Sequence, residues 1–121
     1  GAMAVDHVVA ATPHVDRTLG ALRRAGLEPR RVREAGEARQ AFYVLGTALL
    51  ELAGPASPSG DGPAALWGLV VVVEDLDALA ARLGDELGTI RDAVQPGRRI
   101  ATLRRSAGVS TALAFLTPRG V

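Results

Sequence analysis

A motif near the start of this chain returns 61 residues later: Asp6-His7-Val8-Val9 followed by Val15-Asp16 reappears as Trp67-Gly68-Leu69-Val70 followed by Leu76-Asp77. A repeat at constant offset is the mark of a duplicated module, and each copy opens with an apolar strand that passes into a helix. With 121 residues the chain is too short for two independent domains, so the two modules are expected to share a core. The copies differ where it matters for chemistry. His7 is matched by Gly68, and Glu51, near the end of the first copy, is matched by Ala114. One module keeps an imidazole and a carboxylate, and the other has neither.

Each module reads as strand, helix and three strands. In the first, Val5 to Ala11 is a Val-rich run of strand length, and Thr12-Pro13 reads as a helix start with Thr12 as the cap. Val15, Leu19 and Leu22 recur at helical spacing until Gly26. Strands are expected at Arg30 to Glu34, Arg39 to Leu45 and Thr47 to Ala53, the last two joined by a tight turn at Gly46. Gly54 to Pro63 (GPASPSGDGP) has linker composition and is expected to be mobile. The second module starts with Leu66 to Val73, whose four consecutive valines suit a strand buried on both faces. Asp75 caps a helix carrying Leu76, Leu79 and Leu83, and strands at Thr89 to Ala93, Arg99 to Arg104 and Thr111 to Leu116 follow. Gly1-Ala2 ahead of Met3 reads as a tag scar. The expected organisation is one domain over 4–118, with modules at 4–53 and 64–118 around the linker 54–63.

Composition narrows the function classes. All 14 basic residues are Arg, which removes lysine chemistry and weakens any claim that one Arg was chosen for its geometry. The net charge of +1 and 3% aromatic content argue against nucleic acid as a partner. The absence of cysteine removes thiolate chemistry and disulfides and makes the cytoplasm the simplest expectation. No apolar run is long enough to span a bilayer, so no membrane partner is expected.

The order and duplication of Asp6-His7-Val8-Val9, Val15-Asp16, Leu49-Leu50-Glu51-Leu52 with Pro55, Val73-Glu74-Asp75-Leu76-Asp77-Ala78 and Ala112-Leu113-Ala114-Phe115-Leu116 with Pro118 carry a family likeness. Over Ala4 to Pro118 the chain resembles the vicinal oxygen chelate superfamily, which includes glyoxalase I, methylmalonyl-CoA epimerase, extradiol dioxygenases and bleomycin-resistance proteins. The resemblance implies an α+β fold in which two tandem βαβββ modules form an open, eight-stranded, barrel-like sheet around a cleft. It also implies metal ligands on the first and last strand of each module. His7 and Glu51 match the first pair. Gly68 and Ala114 stand at the second and cannot ligate, so the expected cofactor is none or a weakly bound divalent metal on a partial site.

Strand parity sets His7 with Val5, Val9 and Ala11, and Glu51 with Leu49 and Ala53, so both ionisable groups sit on otherwise apolar faces. The functional expectation is a general acid-base pair, set against a structural pair satisfied by hydrogen bonds. Arg39 with Tyr43, and Arg99 as the counterpart of Arg39, are candidate substrate contacts. Arg39 and Tyr43 share one strand face and Gln40 and Phe42 the other, so only one of these pairs can line the site. Gly68 and Ala114 would enlarge the cavity. The leading expectation is an isomerase or lyase acting on a carbonyl-containing metabolite. The alternatives are a non-catalytic binder that sequesters an antibiotic or other small molecule, and an accessory module whose cleft is filled. A homodimer is the expected assembly.

Overall fold

The computed structural model describes residues 1–120. Its strands and helices are β1 (Ala2–Ala11), α1 (Val15–Arg24), β2 (Arg31–Ala35), β3 (Ala38–Leu45), β4 (Ala48–Pro55), β5 (Ala65–Val73), α2 (Leu76–Leu83), β6 (Arg91–Asp92), β7 (Arg99–Thr102) and β8 (Ala112–Leu116). The strands form an open, mixed, eight-stranded sheet in the order β2-β3-β4-β1-β5-β8-β7-β6. Two compact units divide the chain: His7–Trp67, and Gly1–Asp6 with Gly68 onward. Strand β1 therefore gives its first residues to one unit and His7 to Ala11 to the other.

In the His7–Trp67 unit, β1 and β4 run parallel, and β4, β3 and β2 are antiparallel neighbours. Parallel neighbours need a long crossover, which here is α1 with β2 and β3. The β3–β4 hairpin closes between Leu45 and Ala48, and Gly46 takes the positive φ of 61° that a two-residue turn demands. Helix α1 lays Val15 and Leu19 against Ala41, Tyr43 and Leu52, with Ala10 and Leu50 at the margin. Its cap differs from expectation. His14, not Thr12, is the N-cap, its Nδ1 accepting from Arg17 N at 3.2 Å, while Thr12 is buried and its hydroxyl shares a hydrogen bond with Thr18 Oγ1 at 2.8 Å. Thr12 N is already committed to Ala53 O at 2.9 Å, which ties this residue to the sheet and delays the helix by two positions.

The segment read as a linker is partly structured. Gly54 and Pro55 belong to β4, and further on the guanidinium of Arg17 donates to the carbonyls of Asp61 and Gly62. Ser59 N also reaches Pro13 O at 2.9 Å. These bonds fasten the segment to the start of α1.

In the other unit, β5 pairs parallel with β8, β8 antiparallel with β7, and β7 with the two-residue β6. Asp75 caps α2 as expected, accepting from Ala78 N at 3.0 Å. On the α2 side Val73, Leu76, Leu87 and Ala101 form the core, joined by Val71 and Phe115. On the other side of the sheet Val70, Ala114 and Leu116 pack with Ala93 and Ile100. Trp67 is 61% exposed. A buried guanidinium is the unit's other notable feature. Arg98, 3% exposed, donates to Gln95 Oε1 at 2.6 Å, to Thr117 O at 2.9 Å and to Asp6 Oδ1 at 3.3 Å. This anchors the start of β1 to the unit.

Candidate functional site

In β1 and β4 the pairing is His7 to Leu49 and Val9 to Glu51. Residues paired across a ladder point to the same side, and so do residues two apart along one strand. His7 and Glu51 therefore share a face, on adjacent strands and offset by two residues, with roughly 8 Å between their backbones from the usual strand spacings. Both are half-buried.

The ladder continues across β3 and β2. Glu51 pairs with Phe42 and Phe42 with Arg31, which makes a row Val9, Glu51, Phe42, Arg31 across four strands. The neighbouring row is Ala11, Ala53, Gln40, Arg33. Gln40 and Phe42, rather than Arg39 and Tyr43, share the side of Glu51. The expected substrate contacts Arg39 and Tyr43 lie on the α1 side, and helix chemistry explains why. Tyr43 is 1% exposed within the α1 core. Arg39 donates to Asp16 Oδ1 at 2.7 Å in the first turn of α1 and lies 3.2 Å from Glu34. Arg99 repeats this on α2, where it grips both carboxylate oxygens of Asp77 at 3.1 and 2.7 Å. Those hydrogen bonds, reinforced by the guanidinium charges, hold the Asp16 and Asp77 carboxyls below their ordinary range.

The register also tests the equivalence of the two modules. Gly68 pairs with Ala112 and Val70 with Ala114, so Ala114 stands beside Val70 as Glu51 stands beside Val9. Glu51 and Ala114 are structural counterparts, as are His7 and Gly68. A Cβ at Gly68 would meet Ala112 O at 3.4 Å, an ordinary contact, so the backbone does not impose glycine there. On this face of the second module the register sets Val70 and Ala114 with Thr102, and Leu116 and Ile100 with Arg91 at the sheet edge, so among the described residues of these rows no imidazole or carboxylate replaces the missing pair. An open depression of about 350 Å³ elsewhere in the unit, lined by Leu69 and the loop Gly108 to Leu113, has no ionisable side chain.

In the sequence Arg31 and Arg33 stand out only as a local basic cluster with Arg30, too small to argue for nucleic acid, and not as part of a site. Their signal was parity with Phe42 and Gln40, which becomes visible only once the β2–β3 register is known.

A parallel β1–β4 pair bridged by a helix and a hairpin, repeated as β5–β8, is the fold of the vicinal oxygen chelate, or glyoxalase-like, proteins. The solved structures it matches include several methylmalonyl-CoA epimerases. The enzyme from Mycobacterium tuberculosis superposes with a TM-score of 0.72 at 19% identity, covering 98% of this chain and 90% of that one. A Streptomyces coelicolor epimerase variant in complex with 2-nitronate-propionyl-CoA gives 0.71 at 18%, covering 99% and 100%. A hypothetical protein from Bacillus halodurans C-125 gives 0.71 at 13%, covering 97% and 95%. At these identities the likeness is one of fold. No protein-family profile matches the sequence, and no curated protein matches it by sequence.

The divalent metal that this fold family implies does not fit the residues present. His7 and Glu51 supply two donors, their counterparts Gly68 and Ala114 supply none, and among the described residues no three His, Asp or Glu side chains gather into a metal-holding group.

Proposed function

We propose that the chain acts on a small carbonyl-containing metabolite as an isomerase- or lyase-type enzyme, through acid-base chemistry on the β1–β4 face. The observation that carries this reading is the placement of His7 and Glu51 on one half-buried face by the parallel register. The Glu51 carboxylate takes a proton from the carbon next to the carbonyl. The C–H electron pair moves into the enolate, and a proton on the His7 imidazole is shared with the enolate oxygen. Return of a proton to the carbon completes an isomerisation. The epimerases that share the fold support an isomerase, since one of them is described with methylmalonyl-CoA itself.

The test is proton-deuteron exchange at the carbon beside the carbonyl, followed by NMR in deuterated water on methylmalonyl-CoA and on simple 2-oxo acids. Glu51→Gln is expected to slow exchange by about 100-fold or more, and His7→Ala by a smaller factor. Equal exchange in wild type and both variants overturns the proposal.

The apolar Val70, Ala114, Leu116 cluster favours a second reading, a binder that sequesters its ligand without turnover. Saturable binding with no exchange would select it. A homodimer is part of either reading, supported by the exposed Leu66 and Trp67, at 73% and 61%. A light-scattering mass of one chain at micromolar concentration overturns that part.

A further inference from the structure

The face that carries His7 and Glu51 ends on β2, the edge of the sheet, in two arginines. Arg31 stands in the row of Glu51, with only Phe42 between them, and Arg33 in the next row, beyond Gln40. Both arginines are exposed, and among the described residues neither makes a side-chain hydrogen bond or ion pair. The arginines of the helix faces behave otherwise. Arg39 is held by Asp16 and Glu34, and Arg99 by Asp77.

Charges on an edge strand serve to discourage edge-to-edge pairing, but that role is indifferent to which face they occupy. Here the strand sorts its charges. Glu34 and Val32 fall on the side of Arg39 and Ala41, and Arg31 and Arg33 fall on the side of Phe42 and Gln40. The only acid in the rows they join is Glu51 itself, two strands away. Two adjacent guanidinium groups with no internal counter-ion form an oxyanion site, and Gln40 adds an amide donor beside them.

We propose that this face recognises a substrate with a distal oxyanion, carboxylate or phosphate, held by Arg31 and Arg33 while its carbonyl end lies over Glu51. Two strand spacings separate Arg31 from Glu51, which sets the reach of the substrate at about 10 Å. Phe42, half-buried between them, supports an apolar spacer. The inference rests on the acid-base reading only for which end of the substrate reacts.

Calorimetric titration tests it with three probes of one length: 2-oxosuberate, 7-phosphono-2-oxoheptanoate and 2-oxooctanoate, the last lacking the distal charge. Wild type is expected to bind the better of the two anionic probes at least tenfold more tightly than 2-oxooctanoate, and which of them wins identifies the oxyanion. The double variant Arg31→Gln with Arg33→Gln is expected to bring that ratio to about one while leaving 2-oxooctanoate binding unchanged. A wild-type ratio within twofold, no binding of any probe at millimolar concentration, or a ratio that survives the double variant overturns the proposal. Glu51→Gln separates the two readings. If it abolishes exchange while wild type shows no anion preference, the substrate class is wrong and the acid-base reading stands. An anion preference that persists in Glu51→Gln, in a protein whose wild type shows no exchange, leaves the oxyanion site standing and the acid-base reading overturned.

Discussion

Gly54→Ala is the sharpest stability test this fold offers. Gly54 lies on β4 opposite Arg39, on the α1 side, where the chain leaves β1 and crosses toward the helix. A Cβ built there would sit 2.2 Å from Thr12 O and 2.8 Å from Val15 Cγ2. Carbon-to-oxygen contacts close no nearer than about 3.3 Å, so the methyl has to open the gap by about an ångström. Neither neighbour gives easily. Thr12 is pinned through its N–H to Ala53 O at 2.9 Å, and Val15 is 2% exposed in the core. Overpacking against backbone belongs at the upper end of the usual 1–3 kcal/mol, so a loss of about 3 kcal/mol is expected. For a chain of this size that corresponds to a fall in Tm of roughly 10 °C. Gly20→Ala provides the opposite sign. Gly20 lies within α1, its Cβ would meet only the flexible end of Arg24 at 3.5 Å, and alanine is expected to stabilise the helix by about 0.5–1 kcal/mol. Urea denaturation of both variants is the assay. A loss below about 1 kcal/mol for Gly54→Ala, or shifts of the same sign in the two variants, would refute the close approach.

Three further outcomes follow from the packing. The Tyr43 hydroxyl is buried with no hydrogen-bond partner, and its burial pushes the phenol pKa up, so Tyr43→Phe should gain about 1 kcal/mol in urea denaturation; a loss would mean the hydroxyl is satisfied. Arg98→Met leaves the Asp6 carboxylate and the Gln95 and Thr117 oxygens without their shared donor, and a loss of about 3 kcal/mol is expected by thermal melting; a change under 1 kcal/mol would remove Arg98 as an anchor. Arg39 and Arg99 lower the folded-state pKa of Asp16 and Asp77, so their contribution to stability is full above the ordinary carboxylate range and fades as pH falls through the depressed folded values. The stability difference between wild type and the double variant Asp16→Asn with Asp77→Asn should therefore be present at pH 7 and absent near pH 2, and a difference that does not depend on pH would contradict the pairing.

The order of elements was legible because the chain states it twice, and each copy carries its own punctuation. Asp75 before the second apolar stripe and Gly46 between two alternating runs were read correctly because their chemistry is local. The duplication also aligned Glu51 with Ala114, an equivalence the parallel registers bear out. What could not be read was the direction each strand faces. Alternation on β3 divides Arg39 and Tyr43 from Gln40 and Phe42, but apolar residues occupy both sides, and only the seating of α1 on Tyr43 decides between them. Thr12 was assigned as a cap from a local pattern that a long-range bond to Ala53 overrides. Arg98 gave no sign of burial, since its partner Asp6 lies 92 residues away in sequence.

Along β4, Leu50 and Leu52 look toward α1 while Glu51 looks the other way. Deleting or inserting one residue upstream of this point within the strand would trade places between grease and acid: a carboxylate would be driven into the packed layer under the helix, and a leucine would stand where the proposed base is. A frame slip of one in this strand would cost the protein its core and, on the proposed reading, its reactivity at once.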